Sequence, residues 1–320
     1  MLKYPDFLNL ELQKVDEIIN LSISSDVDKV NLISSYLIGA GGKRVRPIFA
    51  ILSALMFPVS SDKYLNVAAA VEFIHTATLL HDDVVDESKL RRGRESANSK
   101  WGNKLSILVG DFLFAQSFNS MVACGSMDVM DTLSKASTII SEGEVEQLEQ
   151  IGNINISFDQ YLRIIRSKTA ELFAAACKCG AIVAKQNLIY QKYLYDFGLN
   201  FGIAFQIVDD ILDYSSESKI GKDLGNDFLE RKITLPVILA LPDLTPEEKI
   251  LFKNWFSSAG DDLSFEKAVE IMKIHNSFEK AKQIATNYIN EAKSSLDFFA
   301  SSEAKNVFQR ILEFQVSRIS

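Results

Sequence analysis

Residues 76–98 read TATLLHDDVVDESKLRRGRESAN, a stretch that begins apolar, becomes acidic and ends basic. The acidic part contains Asp82, Asp83 and Asp86. Because an α-helix turns once in about 3.6 residues, Asp82 and Asp86 lie on one helix face. The aliphatic residues before and between these aspartates indicate that most of the helix is buried. The stretch therefore predicts a helix that carries carboxylates at the edge of an apolar core.

A second cluster with the same spacing, Asp209, Asp210 and Asp213, lies in the apolar segment FQIVDDILD at residues 205–213. Like charges at i and i+4 repel each other by about a few tenths of a kcal/mol in water, and burial raises this cost. A divalent cation relieves the repulsion. Oxygen ligands suit Mg²⁺, which is usually held by one or two carboxylates plus substrate phosphate. A single acidic cluster is usually a solvated helix face, but two in apolar helices favour a metal site.

Basic residues stand near the first acidic cluster. The segment GAGGKRVRP at residues 39–47 carries Lys43, Arg44 and Arg46, and its glycines and following helix N-terminus suit an anion. The segment RRGR at residues 91–94 follows the aspartates directly, and planar arginine side chains match phosphate oxygens. His75 lies about two turns before Asp82 on nearly the same face, so it either contacts phosphate or packs in the core. Together these residues predict a metal–diphosphate site.

The composition limits the class of protein. The chain has 320 residues, 47% of them hydrophobic, so it can bury a large core. No proline stands between Pro58 and Pro236, which favours long helices. The formal net charge of −8 argues against a general nucleic-acid-binding surface. The three cysteines form no CxxC pair, and no apolar run suits a membrane span, so we predict a cytoplasmic protein without a transmembrane segment.

The hydrophobic pattern predicts an all-α fold. Helical segments follow one another without a convincing linker or repeat, so we expect residues 1–320 to form a single helical domain. Thr245 and Glu248 have the spacing of a capping box at the start of the C-terminal helices. The polar segment 215–233, which contains Lys222 and Lys232, suits a mobile cover beside the site.

With these motifs in place, the chain resembles the trans-polyprenyl diphosphate synthases over roughly residues 30–300. The resemblance rests on GGKRVRP, LLHDDVVDESKLRRGR, the adjacent Lys168 and Thr169, FQIVDDILD and GKDLGNDFLERKITLP. Within the family, the sequence is most similar to long-chain enzymes that make quinone side chains. The resemblance implies a single large helical bundle of the isoprenoid synthase type with a central apolar tunnel, and it also implies a homodimer.

The resemblance further implies a role for each motif residue. Lys43, Arg46, His75 and Arg92 would hold the diphosphate of isopentenyl diphosphate. Asp82, Asp86 and Asp209 would bind Mg²⁺, more than one ion per site, with Asp83, Asp210 and Asp213 supporting them. Arg91, Lys168, Lys222 and Lys232 would bind the allylic substrate, and Thr169 and Gln206 would place oxygen dipoles near the developing cation. Glu95 departs from the family pattern, which more often has an uncharged residue there.

The implied reaction is a Mg²⁺-dependent head-to-tail (1'-4) condensation of isopentenyl diphosphate onto an allylic prenyl diphosphate. Positive charge would stabilise the diphosphate as it leaves, and we expect that diphosphate to accept the proton lost at the end. Ala77 and Thr78 are small where short-chain members tend to have an aromatic ring, so we expect a long product, such as the octaprenyl or decaprenyl precursor of a quinone. Phe118 and Met121 are candidates for the tunnel floor, although core packing alone is the favoured explanation for both.

The sequence leaves four alternatives to be weighed. The product could be of medium length, from geranylgeranyl to heptaprenyl. A class I terpene cyclase shares the fold, but its second metal motif differs from DDILD. A non-catalytic subunit of a heteromeric synthase should lack the metal aspartates, whereas this chain has both sets. A di-iron carboxylate bundle would require paired Glu-x-x-His motifs, which this chain does not have.

Overall fold

Helices account for nearly all of the computed structural model, which describes residues 3–39, 42, 44–91, 93–215, 225–257 and 261–319. The α-helices of this part are α1 (Asp6–Ser22), α2 (Asp28–Ile38), α3 (Val45–Leu55), α4 (Lys63–Val85), α5 (Ala97–Trp101), α6 (Asn103–Cys124), α7 (Met127–Glu149), α8 (Phe158–Ile165), α9 (Glu171–Val183), α10 (Leu188–Asp213), α11 (Asn226–Leu229), α12 (Leu235–Ala240), α13 (Pro246–Ser257), α14 (Asp262–Ile274), α15 (Ser277–Leu296) and α16 (Glu303–Ser317). A π-helical turn, Arg166–Ala170, joins α8 to α9. The predicted all-α class is confirmed.

Local sequence signals set several helix boundaries. The predicted capping box forms at the start of α13, where the Thr245 backbone N–H donates to Glu248 Oε2 at 2.8 Å and the Glu248 N–H donates to Thr245 Oγ1 at 3.2 Å. Each bond satisfies a backbone donor that has no partner within the helix. A break also separates the first two helices, since α1 ends at Ser22 and α2 begins at Asp28.

The chain divides into two compact units, of which the first comprises Met1–Ser137, Leu172–Gly198 and Ser295–Ile311. Its core contains the fully buried ring of Phe49, whose centroid lies 5.0 Å from that of Phe173, 5.6 Å from Phe197 and 5.2 Å from Phe308. Aromatic pairs at such distances are favourable beyond their buried area. In this unit, α4 carries the first aspartate cluster at its C-terminal end.

The second unit comprises Thr138–Glu171, Leu199–Ser294 and Leu312–Ser320. Its core contains Phe228, Phe252 and Phe256, all fully buried, with the Phe228 and Phe256 centroids 5.3 Å apart. The second aspartate cluster lies on the part of α10 that belongs to this unit. The expectation of a single domain stays a prediction.

Candidate active site

The first aspartate cluster lies where α4 ends. Asp82 is in the last turn, and Asp86 caps the helix with its backbone N–H donating to the Asp82 carbonyl at 2.8 Å. Both side chains are partly exposed, whereas Asp83 is completely buried. Consecutive helical residues differ in direction by about 100°, so the middle aspartate points inward while its neighbours reach solvent.

The buried Asp83 carboxylate holds Arg91. Arg91 Nε and Nη2 both donate to Asp83 Oδ1, at 2.7 and 2.6 Å. The Asn98 side-chain amide donates to the Asp83 backbone carbonyl at 2.9 Å, which ties the chain beyond the cluster to the same helix end. Charge-assisted bonds of this kind orient a guanidinium well. The arginine predicted to bind the allylic diphosphate is therefore held beside the first cluster.

The basic segment predicted as a loop after α4 forms a short antiparallel hairpin. Strand β1 (Leu90–Arg91) pairs with β2 (Arg94–Glu95), with Arg91 opposite Arg94. Gly93 in the turn has a φ of +73°, a conformation that glycine adopts at little cost. No strand pattern is visible in the sequence here, because two-residue strands are too short to show a period. Arg92, predicted to bind isopentenyl diphosphate, lies outside the described residues.

Two residues predicted to bind isopentenyl diphosphate contact each other. Arg46, in the first turn of α3, has its Nη1 3.2 Å from Nε2 of His75 on α4. Arginine can only donate, so this histidine nitrogen accepts and the ring proton is on Nδ1. The Arg46 guanidinium also lies 4.7 Å above the Phe173 ring, a cation–π contact that fixes its plane. Lys43, which precedes α3 and is also predicted to bind isopentenyl diphosphate, lies outside the described residues.

Arg44 forms ion pairs with two acidic side chains of the first unit. Its guanidinium pairs with Glu72 at 2.5 Å and with Asp16 at 3.1 Å, and its backbone has a φ of +48°. The Glu72 side chain is buried, so this pair has the surroundings of a structural ion pair. Of the described residues in the basic segment, Arg46 is therefore the one that remains a candidate for binding substrate.

A small open pocket lies within the first unit. Its lining includes His75, Asp83, Arg91, Arg94, Arg44 and Glu72. His75 and Arg91, which are predicted to bind phosphate, therefore line one pocket together with the buried Asp83, whose carboxylate orients Arg91. Near it on α4, Ala77 is buried and Thr78 is partly exposed, with its hydroxyl donating to the His75 carbonyl at 2.8 Å. On α6, Met121 is buried and Phe118 is exposed.

In the second unit, Asp209 forms an ion pair that the sequence did not predict. Arg318, from the segment that follows α16, donates through Nη2 to Asp209 Oδ1 at 2.7 Å. Its guanidinium also lies 5.7 Å from the Phe205 ring centre. The two charged side chains are each 24% exposed. No local pattern could have identified Arg318, because the partner lies 109 positions away along the chain.

The neighbouring Asp210 is buried and holds two donors. The Tyr161 hydroxyl donates to Oδ2 at 2.5 Å, and the Gln206 amide nitrogen donates to Oδ1 at 2.8 Å. Burial raises the pKa of Asp210 well above its usual range, the charge of Asp227 adds to this, and the two hydrogen bonds oppose it. Burial and the nearby Asp210 also raise the pKa of Tyr161, so its hydroxyl keeps its proton and donates.

Lys168 and Thr169 lie in the π-helical turn Arg166–Ala170. Such turns often occur at functional sites, because they shift side chains off the regular helical register. Lys168 Nζ contacts Glu144 at 2.5 Å and Gln147 at 2.7 Å. The Thr169 hydroxyl donates to Gln206 Oε1 at 2.7 Å, so the predicted pair Thr169 and Gln206 is brought together.

Asp213 and Lys232 have partners of their own. Asp213 Oδ2 accepts from the Asp227 backbone N–H at 3.1 Å, at the start of α11. Lys232 Nζ pairs with Glu230 at 2.6 Å. An open pocket in this unit is lined by, among others, Tyr161, Lys168, Thr169, Gln206, Asp210 and Lys232. Lys222 and most of the predicted mobile cover lie outside the described residues.

The carboxylates fit a magnesium ion that is completed by substrate. Among the described residues, no three His, Cys, Asp or Glu side chains form a group that would enclose a metal by themselves. Mg²⁺ is typically held by one or two carboxylates plus waters and phosphate oxygens. Asp82 and Asp86 in the first unit, and Asp209 in the second, are each partly exposed, so each unit offers oxygen ligands of the type that magnesium prefers.

Comparison with known proteins settles the family. A model of the polyprenyl synthetase family matches residues 27–272. The chain belongs to this family. It is therefore a prenyltransferase of isoprenoid biosynthesis. The octaprenyl diphosphate synthase of Escherichia coli (strain K12) is 36% identical over 321 residues, which cover 97% of this chain and 99% of that protein.

Solved structures of family members have the same fold. A decaprenyl diphosphate synthase from Rhodobacter capsulatus superposes with a TM-score of 0.94 at 40% identity, covering 98% of this chain and 97% of that chain. A polyprenyl synthase from Caulobacter crescentus, complexed with calcium and isoprenyl diphosphate, also gives 0.94 at 40% identity, covering 98% and 96%. The isoprenoid synthase fold implied by the motifs is confirmed.

Proposed function

We propose that this family member is a long-chain all-trans polyprenyl diphosphate synthase, which extends an allylic diphosphate by repeated 1'-4 condensation with isopentenyl diphosphate. The observation that carries the proposal is the pair of partly exposed aspartates at the end of α4, with Arg91 fixed beside them by Asp83. This arrangement would bring carboxylate ligands for a metal together with a guanidinium that can donate hydrogen bonds to phosphate. Similarity to an octaprenyl and a decaprenyl diphosphate synthase over nearly the full chain supports a long product.

The side chains divide the work of the reaction. Bound Mg²⁺ would neutralise the diphosphate and so make it a better leaving group. Arg91 would bind the allylic diphosphate and stabilise the charge that develops on its oxygens, and the family resemblance implies a diphosphate-binding role for Lys168 of the second unit. Arg46 and His75, which already contact each other, would hold the diphosphate of isopentenyl diphosphate so that its double bond faces the allylic carbon.

The bond changes balance without a dedicated protein base. The allylic C–O bond breaks and its electron pair leaves with the diphosphate. The isopentenyl double bond then forms the new C–C bond, and a proton is lost from the isopentenyl C2. We assign the proton to the departing diphosphate. Thr169 and Gln206 would face the cation through oxygen, and the reaction requires that water be excluded while this cation exists.

Small residues at the end of α4 support a long product. Ala77 is buried and precedes the aspartates by about one turn. Ala77→Phe should shorten the product by several isoprene units, at a packing cost of about 1–3 kcal/mol for the larger side chain. The products would be dephosphorylated and sized by chromatography. Thr78→Ala, which removes atoms instead of adding them, should leave the product no shorter. Unchanged long products from a folded Ala77→Phe variant would contradict a role for Ala77 in length control.

An apolar face on α6 supports a homodimer. Ile107, Leu108, Phe118 and Val122 are all exposed and lie on one side of the helix by their spacing. By length and composition α6 could also cross a membrane, and it is the single such candidate in the described part of the chain; buried helices of other proteins pass the same test. Sedimentation equilibrium of the wild type and of Val122→Asp would test the dimer.

The decisive experiment uses the purified chain alone. With Mg²⁺, farnesyl diphosphate and radiolabelled isopentenyl diphosphate, it should incorporate label into long products, and chelation of the metal should abolish this. A terpene cyclase would consume the allylic substrate without incorporating label. A subunit that lacks activity alone would incorporate none. Products of octaprenyl or decaprenyl length would support a role in making a quinone side chain.

A further inference from the structure

Four side chains of the second unit form a continuous chain of hydrogen bonds. The Tyr161 hydroxyl donates to Asp210 at 2.5 Å, Gln206 donates to Asp210 at 2.8 Å, and Thr169 donates to Gln206 at 2.7 Å. Tyr161, Asp210 and Thr169 are all buried, with 3%, 2% and 6% of their surface exposed. A buried polar chain is stabilising only when every member is satisfied, so its geometry is strongly determined.

The chain has a direction, and Asp210 sets it. Asp210 accepts from the Tyr161 hydroxyl at one oxygen and from the NH₂ end of the Gln206 amide at the other. Its oxygen end then faces Thr169 and accepts the hydroxyl proton. A threonine hydroxyl has one proton to donate and two lone pairs. Because the proton is directed to Gln206, the lone pairs of Thr169 Oγ1 are left for other groups.

All four residues line the open pocket of the second unit, together with Lys168. The backbone holds Thr169 in the π-helical turn, where α7 approaches closely. A Cβ on Gly143 would stand 2.6 Å from the Ser167 Cβ and 3.2 Å from the Lys168 backbone nitrogen. The π-helical turn that carries Thr169 therefore cannot shift far toward α7, and the Thr169 hydroxyl is directed by its hydrogen bond to Gln206.

We propose that Tyr161 and Asp210 are positioning residues that fix the Gln206 amide, and through it the Thr169 hydroxyl, so that the Thr169 oxygen directs its lone pairs at the cation formed when the allylic C–O bond breaks. The inference rests on the proposed prenyl transfer. Neither Tyr161 nor Asp210 touches substrate in this scheme. Their effect is on the orientation of a dipole, which is electrostatic stabilisation by prearranged groups.

The test is a double-mutant cycle between Tyr161→Phe and Thr169→Val. Each single change should lower kcat for isopentenyl incorporation, by about tenfold for Thr169→Val and by about threefold to tenfold for Tyr161→Phe, with little change in KM. In the Thr169→Val background, Tyr161→Phe should have almost no further effect, because the group that it orients is gone. Thr169→Ser, which keeps the hydroxyl, should stay within about threefold of the wild type.

Tyr64→Phe is the matched control. Tyr64 is a buried tyrosine of the first unit whose hydroxyl donates to Glu11 at 2.8 Å, so the change removes the same type of bond from a place without predicted site residues. It should leave kcat unchanged. If Tyr161→Phe does not fold, Asp210→Asn completes the cycle. This change keeps the volume but lets the side chain donate to Gln206 and reverse its amide, so it should couple to Thr169→Val in the same way.

The outcomes separate the inference from the proposed function. Effects on kcat that multiply in the double variant would overturn the inference, because the two residues would then act independently. A fall in Mn²⁺ affinity of Tyr161→Phe, measured by electron paramagnetic resonance and parallel to the loss of kcat, would also overturn it by assigning the effect to the metal. A wild-type chain that incorporates no isopentenyl diphosphate would overturn the proposed function, and the inference with it.

Discussion

Removing the charge of Arg318 should increase the affinity of the substrate-free protein for a divalent cation. Arg318 Nη2 lies 2.7 Å from Asp209 Oδ1, so a guanidinium takes the place beside this carboxylate that a metal ion is predicted to take. A cation that binds Asp209 must give up or weaken this ion pair. The change Arg318→Gln removes the competing charge and retains a polar side chain.

The size of the effect follows from the exposure of the pair. Two unit charges about 4 Å apart attract by about 1 kcal/mol in water and about 4 kcal/mol at an effective dielectric constant of about 20. Both side chains are 24% exposed, and the ordering and desolvation of such pairs reduce the net value to about 1 kcal/mol. Arg318→Gln should therefore bind Mn²⁺ about fivefold more tightly. The gain should shrink at high salt, because exposed charges are screened.

Mn²⁺ titration followed by electron paramagnetic resonance measures this affinity directly. Arg310→Gln is the control, because Arg310 lies on α16, close to Arg318 in the chain, but donates to the backbone carbonyl of Lys3 at 3.0 Å. It changes the net charge of the protein by the same amount and should leave the affinity near that of the wild type. An Arg318→Gln variant with unchanged or weaker Mn²⁺ binding would refute the idea that Arg318 and the metal compete for Asp209.

Two further predictions follow from the packing. Burial raises the pKa of Cys124 to about 11 and that of Cys177 to about 12, and it also raises the pKa of Cys179. The three thiols therefore stay protonated, and a disulfide reagent at about pH 8 should modify them only after unfolding. Labelling of the folded chain would contradict this. Gly143→Ala should lower stability by about 1 kcal/mol net, since overpacking costs about 1–3 kcal/mol and the better helix propensity of alanine offsets about 1 kcal/mol. It should also lower kcat, because it moves the π-helical turn. Urea unfolding measures the stability and product assays measure kcat, and a variant in which both are unchanged would contradict this prediction.

The sequence predicted the helices well because their signals are local. The capping box of Thr245 and Glu248 depends on residues within one turn of each other, and it is confirmed. The two aspartate clusters were assigned to apolar helices for the same reason. Periodicity identified which segments are helical and which faces are apolar, and motif similarity then implied the fold.

Contacts between distant segments could not be predicted in this way. Arg318 and Asp209 are separated by 109 positions and Tyr161 and Asp210 by 49, and neither Arg318 nor Tyr161 belongs to a recognisable pattern. The π-helical turn at Lys168 and Thr169 depends on one extra residue per turn, which a hydrophobic pattern does not reveal. These features depend on how helices pack, and the sequence specifies that only through all of its contacts together.

The middle aspartate of each cluster shows what a motif alone does not reveal about the surroundings of its members. Asp83 and Asp210 follow directly after Asp82 and Asp209, yet both are buried while the preceding residues are partly exposed. The cause is the rotation of about 100° per helical residue, which turns consecutive side chains to different faces. Inside the protein a carboxylate needs donors, and each finds them: Asp83 accepts from Arg91, and Asp210 from Tyr161 and Gln206. In each unit, the doubled aspartate thus combines an outer, partly exposed carboxylate with an inner group that is hydrogen-bonded to a neighbouring side chain.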